Sequence, residues 1–336
     1  MFGFYRTFLA LMVVALHIGG IPWVGGYAVY AFYMLSGYLM TLIMQRTYGY
    51  DAQGVGKYVL NRFLRIYPLY WVAGLITLVL IYWLGEAYTS GFIKYMLYPM
   101  TLSDILKNLL LLFPTVDTTR LVPPAWALTV ELCFYVLIAL GLSKYAKIAM
   151  IWLVLSVMYH GIAWFAGWDR YFSVFAASLP FALGSVLYFY RDKVLQKCFG
   201  STQNLSPYLP LLLLLLMAIN WYIGFLLTRS HELFFYTNIV LCALMLVVLS
   251  SYKSLPWLSK KADAYWGDFS YPIYLVHYQV ALLVMYMAQQ SGWDISRPSI
   301  TLMWLTIPAV FLVAWLLMLW VERPIERLRT RVKEKL

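Results

Sequence analysis

The sequence predicts an all-α, polytopic membrane protein with about ten transmembrane helices, and three observations lead there. The 336 residues are 63% hydrophobic and only 12% charged, more apolar surface than a water-soluble domain of this length can bury. The apolar residues form continuous runs, as in the Leu211–Leu216 block. Several reach the ~20 residues that cross about 30 Å of hydrocarbon as a helix, and none shows the alternation of a barrel strand. Finally, the basic residues between the runs are distributed unevenly, as the loops of a multi-pass protein require.

In order, the spans read as 7–24, 27–45, 65–84, 124–142, 148–166, 171–190, 208–227, 233–251, 269–288 and 302–321. The first has the length of a secretory signal. It lacks a small-residue cleavage site and runs directly into further apolar sequence, so it is expected to stay as a helix. With the N-terminus inside, only Lys94, Lys107, Arg120, Arg170, Arg229 and Arg297 of the 25 Lys and Arg fall on the outer side. That bias places both termini in the cytoplasm. It also accounts for the net charge of +11 through basic loops lying against anionic membrane lipids, with no nucleic acid needed.

A single domain, 1–336, is expected, with one long outer connection at about 85–123 and a cytoplasmic basic tail at 322–336. Within the connection, "SDILKNLLLLF" is too short to span and should lie in the interface or dip back into the protein. Cys133 and Cys242 fall inside spans and Cys198 in a loop, so no disulfide framework is implied. The four histidines are too scattered to show a metal-ligand spacing. There is no internal repeat and no Gly-rich phosphate loop. The oligomeric state leaves no readable mark.

Titratable groups inside hydrophobic spans are expensive and point to function. "RTFLALMVVALH" sets Arg6 at the mouth of the first span and His17 in its middle. Eleven residues bring both to one helix face, roughly 16 Å apart along the axis. Arg6 alone also suits a positive-inside anchor, and His17 a packed neutral imidazole. In "PPAWALTVELCFY" the fourth span begins at Pro123–Pro124 and carries Glu131 about 10 Å below the outer surface. Because this span descends while the first ascends, Glu131 and His17 reach similar depth. A His–Glu pair would relieve the cost of a buried carboxylate and make a base, or simply tie two helices together. Tyr135 shares the Glu131 face.

"NRFLRIYPLYW" places Arg62 and Arg65 three apart at the inner surface, either as anchors or as a guanidinium grip on a phosphate. His277, in "FSYPIYLVHY", lines a path from the cytoplasm or bonds a neighbouring helix, and Trp126, Tyr135 and Ser36 are further candidates to line that path. Ser36 and Gly37 also suit close helix packing, and no Ser-centred triad is readable. Glu322 and Arg323 read as an interfacial pair at the inner end of the last span.

Taken in order, Arg6 and His17 at an R-x10-H spacing, "FYMLSGYLM", "RFLRIYPLY", "AWALTVELCFY", "FSYPIYLVHY" and the "VERPIE" end resemble the acyltransferase 3 family of bacterial membrane O-acyltransferases. The resemblance covers nearly the whole chain. It implies transfer of an acyl group, usually acetyl, from cytoplasmic acyl-CoA to a hydroxyl of an envelope glycan or its lipid-linked precursor. It implies a bacterial inner-membrane location, an essential His17, and donor binding by Arg6, Arg62 and Arg65; no permanently bound cofactor or metal is implied. Ala127 stands where the family commonly has Ser or Thr, and Tyr38 where it has Phe; neither change removes a titratable group. Some relatives carry an extracytoplasmic hydrolase-like domain; without one, acceptor binding would fall to the helices and the 85–123 connection. Joined to the residue reading, this makes His17 a base oriented by Glu131, or an acyl-histidine relay. The rival class is a proton-coupled transporter, which would also use buried His and Glu, but no inverted repeat or broken-helix pair supports it.

Overall fold

The structure is a computed structural model describing residues 1–113, 118–200, 205–227 and 231–334. Residues 114–117 of the long connection, Arg229 and Lys335 lie outside the described residues. Thirteen α-helices form, and no β-strand among the described residues: α1 Gly3–His17, α2 Val24–Ile43, α3 Ala52–Leu84, α4 Glu86–Phe92, α5 Leu102–Leu110, α6 Trp126–Leu137, α7 Ala146–Ala166, α8 Val174–Phe199, α9 Leu209–Leu226, α10 His231–Ser251, α11 Lys260–Gln290, α12 Ile300–Leu317 and α13 Arg323–Glu334. Among the described residues nine helical stretches are long and apolar enough to cross a membrane. The protein is an all-α, multi-pass membrane protein.

The first expected span, 7–24, is the one whose reading changes. α1 has 15 residues, about 22 Å of helix, short of the ~30 Å of hydrocarbon. The expected span ran on to residue 24, but the chain turns at Gly19 and Gly20, where Gly20 adopts a φ of +75° that L-residues disfavour. His17 is therefore the last residue of α1, not its middle. Elsewhere the helices are longer than their apolar runs. α3 begins at Ala52 and α11 at Lys260, because polar residues such as Lys57 and Asn61 continue the helix beyond the hydrophobic stretch. α2, α6 and α12 each end in a π-helical turn, at Met44–Tyr48, Ile138–Leu142 and Met318–Glu322.

By backbone proximity the chain divides into two compact units, each discontinuous in sequence. The first comprises Met1–Leu9, Pro22–Val55 and Phe134–Gly267. Its centre is the packing of α2 on α8, which small residues permit: a Cβ at Gly37 would collide with the Phe181 backbone, and one at Gly184 with that of Met34. The Thr41 hydroxyl donates to Gly37 O at 2.8 Å and to Ser185 Oγ at 3.0 Å. Trp152 and Ser156 of α7 both reach Ser178 of α8 at 2.7 Å. Asn220 of α9 donates to Phe234 O of α10. The start of α1 is held by Asp263, which accepts the Gly3 and Phe4 amides at 3.1 and 3.0 Å.

The second unit comprises Ala10–Ile21, Gly56–Cys133 and Asp268–Leu336. Here the long connection folds back onto α3. Tyr70 and Trp71 donate to the Asn108 and Leu109 carbonyls, and Thr77 donates to Leu121 O at 2.7 Å. Buried Asn108 closes the loop by donating to Thr119 O and accepting from the Leu121 amide. α5 leaves Leu102, Ile105, Leu106, Leu109 and Leu110 exposed, the apolar stripe of an interfacial helix. The "SDILKNLLLLF" expectation thus has a structural counterpart.

Candidate active site

The second unit assembles a site along one side of α11, from Tyr271 to Tyr278, about 10 Å of helix. At its centre His17 Nδ1 lies 2.9 Å from His277 Nε2. The two rings are within 7° of parallel with centroids 5.2 Å apart, the separation of rings meeting edge to edge through an in-plane N–H···N bond. Tyr278 covers His17 with its ring centroid at 5.0 Å.

The protons of this pair follow from its surroundings. His277 Nδ1 faces two backbone carbonyls of its own helix, Tyr274 O at 2.9 Å and Ile273 O at 3.3 Å. A carbonyl only accepts, so Nδ1 must carry the hydrogen. With both rings neutral, His277 Nε2 then has the lone pair, and His17 Nδ1–H donates to it. This leaves the lone pair of His17 on Nε2, which makes no hydrogen bond to a described residue. His277 is fully buried, whereas His17 keeps part of its surface accessible. Such an imidazole, fixed in tautomer from behind and open at its other nitrogen, has the geometry to accept a proton. His160, in the first unit, is the contrast: Tyr236 and the Ala176 carbonyl occupy both its nitrogens at 2.9 Å, so it has a structural role.

The sequence reading paired His17 with Glu131; the partner the structure supplies to His17 is His277. Glu131 sits one and a half turns into α6, and its charge acts on Tyr271, as do those of Arg65 and Glu322. The error has a physical source. Depth in the membrane was inferred from each helix end, and that fixes height but not rotation about the axis. Tyr274 does link the start of the Glu131 segment to this face, donating to Pro124 O at 2.7 Å. Trp126 follows directly, in the first turn of α6.

At the other end of the stripe lie the guanidinium groups of α3. Arg65 Nη1 bonds both oxygens of Glu322 at 3.2 and 3.3 Å and stands 5.4 Å from the Tyr271 ring centroid. Glu322 is thus the Arg65 partner, where an interfacial pair with Arg323 was expected. Arg62 donates to Asn61 Oδ1 at 2.6 Å. Arg329 of α13 reaches the same oxygen at 3.4 Å and also pairs with Glu326. Arg65, Glu322, Ile325 and Arg329 line a recess of about 10 Å³, room for about a single water molecule.

Ser36 and Tyr135 belong to the first unit, where they face one another with oxygens 3.5 Å apart. Arg6 also belongs there, in the second turn of α1. Sequence reasoning missed Arg297 and Tyr278 beside His17, and Asn61 between two arginines. Only the position of Tyr278 next to His277 could have been a signal. Groups of His, Cys, Asp and Glu able to hold a metal ion are absent among the described residues.

The site thus joins an imidazole pair with one open nitrogen to a cluster of guanidinium groups beside the same helix. An acyltransferase-domain family model, acyltransferase 3, matches residues 4–320, nearly the whole chain, and the protein belongs to that family. It is a membrane acyltransferase. No curated protein and no solved structure matches the chain significantly.

Proposed function

We propose that the protein transfers an acyl group, acetyl above all, from cytoplasmic acyl-CoA to a hydroxyl of an envelope glycan or its lipid-linked precursor, in the inner membrane of a bacterium. The observation that carries this reading is the His17–His277 pair, a base with a defined free nitrogen at an accessible position. His17 Nε2 takes the acceptor hydroxyl proton as that oxygen attacks the thioester carbonyl. The C–O bond forms, the C–S bond breaks, and the proton passes to the leaving thiolate to give free CoA. The imidazolium formed in transit keeps its Nδ1–H on His277, whose own Nδ1–H is anchored on the Tyr274 carbonyl. His277 is therefore the positioning residue. Arg62 and Arg65 hold the donor phosphates, for which a guanidinium fork is well shaped.

Incubating purified protein in lipid nanodiscs with radiolabelled acetyl-CoA and envelope glycans tests this reading. Label should pass to glycan in the wild type and not in His17→Ala. Equal transfer by a well-folded His17→Ala protein would remove His17 from the chemistry.

A further inference from the structure

Beyond the His pair, on the side away from Arg65, a second guanidinium approaches the site. Arg297 comes from the loop between α11 and α12. Its Nη1 donates to the His17 carbonyl at 2.9 Å and its Nε to the Phe92 carbonyl at 2.9 Å. Its guanidinium carbon lies 5.0 Å from the Phe92 ring centroid and 5.4 Å from that of Tyr278. Carbonyls therefore hold it in place and aromatic rings pack around it.

Satisfying the end of α1 would need one of these bonds and no aromatic packing. The group is over-built for that task. Arg297 forms no ion pair with a carboxylate among the described residues; Tyr278 is its one further side-chain partner there. Like His17, it keeps part of its surface accessible. A guanidinium packed against rings presents N–H groups at its edge, the geometry that receives carboxylate or phosphate oxygens. Arg120, itself buried, stacks on Tyr95 at 4.4 Å in the same unit. Both arginines act electrostatically on His17 and on Tyr278.

We infer that Arg297 is the centre of an acceptor subsite for an oxyanion, so that the acylated hydroxyl belongs to a saccharide bearing a carboxylate or phosphate group. The inference rests on the proposed acyl transfer and adds a substrate class to it. An anion held by Arg297 would anchor the acceptor while its hydroxyl met His17 Nε2.

The test uses full-length protein in nanodiscs of zwitterionic lipid, with labelled acetyl-CoA and acceptors matched except for charge: galacturonate with galactose, and glucose 6-phosphate with glucose. The carboxylate and phosphate arms separate the two sources of the anion. In the wild type, one charged member at least should show a kcat/KM tenfold or more above its neutral counterpart, and added salt should shrink that ratio. Arg297→Gln should bring the ratio close to one, and Arg297→Lys, which keeps charge without the fork, should leave it intermediate. Ratios near one for both pairs in the wild type would overturn the inference while leaving acyl transfer intact. No consumption of acetyl-CoA under any condition would instead defeat the proposed function. If the thioester is consumed but no sugar is acylated, binding decides. Saturation-transfer NMR should then show galacturonate or glucose 6-phosphate, but not the neutral sugars, bound to the wild type and lost from Arg297→Gln; equal signals for all would overturn the inference.

Discussion

At the scale of single residues the account turns on which nitrogen carries which proton. His277 acts by accepting from His17 Nδ1–H, so a side chain that keeps an acceptor there should keep much of the activity. His277→Gln can present an amide oxygen and should retain more acyl transfer than His277→Leu. The leucine variant should lose on the order of 100-fold or more in kcat, since a misoriented base forfeits most of its contribution. The donor KM should change little in either, because Arg65, proposed to hold the donor, lies on α3 beside Tyr271, about 9 Å along α11 from His277. Equal rates for the two variants would reduce His277 to a packing group. Arg62→Ala and Arg65→Ala should show the reverse split, with donor KM raised and kcat within a few-fold of wild type. Donor affinity of the parent protein should weaken with salt, which screens a guanidinium–phosphate contact at the membrane surface. A collapse of kcat at unchanged donor KM would assign these arginines elsewhere.

The elements explain which parts of this were readable beforehand. Nine apolar runs announced their helices, and the short amphipathic α5 was recognisable from its length and its stripe of leucines. Helix ends beyond the apolar runs were less legible. The starts of α3 and α11 are polar yet helical, and α1 stops early because of two glycines whose effect a hydropathy reading averages away. That stop matters for the site. It puts the His17 carbonyl at a helix terminus, where it is free to accept from Arg297. His17 was identifiable as a titratable group inside an apolar span, and Arg65 as a basic group at the inner surface. Their partners, His277 and Glu322, come from 260 and 257 residues away, and no local pattern links such positions. Gly20→Ala tests the turn. A Cβ there meets the Pro298 side chain at 3.0 Å on a positive-φ backbone, and that conformation costs about 1–2 kcal/mol for an L-residue. Thermal unfolding followed by tryptophan fluorescence should show the loss, and acyl transfer should fall with it as His17 is displaced. Wild-type stability and rate together would mean that the turn does not position the base. A tighter constraint operates in the first unit, where Gly37→Val would force a side chain against the Phe181 backbone. The expected penalty is on the order of 3 kcal/mol, read as lost folded yield from the membrane.

For the whole molecule, composition alone excluded a water-soluble protein, and the ordered motifs carried the family. Membership is secured by the match over residues 4–320. α13 begins just beyond it, at Arg323, yet its Arg329 shares Asn61 with Arg62. The arginine cluster of the site therefore includes a residue beyond the matched region. The rival class, a proton-coupled carrier, would also use a buried imidazole pair, but it would leave a thioester whole. The most direct measurement follows the thioester bond itself, in purified wild type and His17→Ala protein matched for folded yield, with acetyl-CoA and a thiol reagent that reports free CoA. The wild type should release CoA in step with label appearing on the acceptor, and His17→Ala should do neither. Intact acetyl-CoA with the wild type, or equal CoA release by the two proteins, would contradict a His17-based acyl transfer.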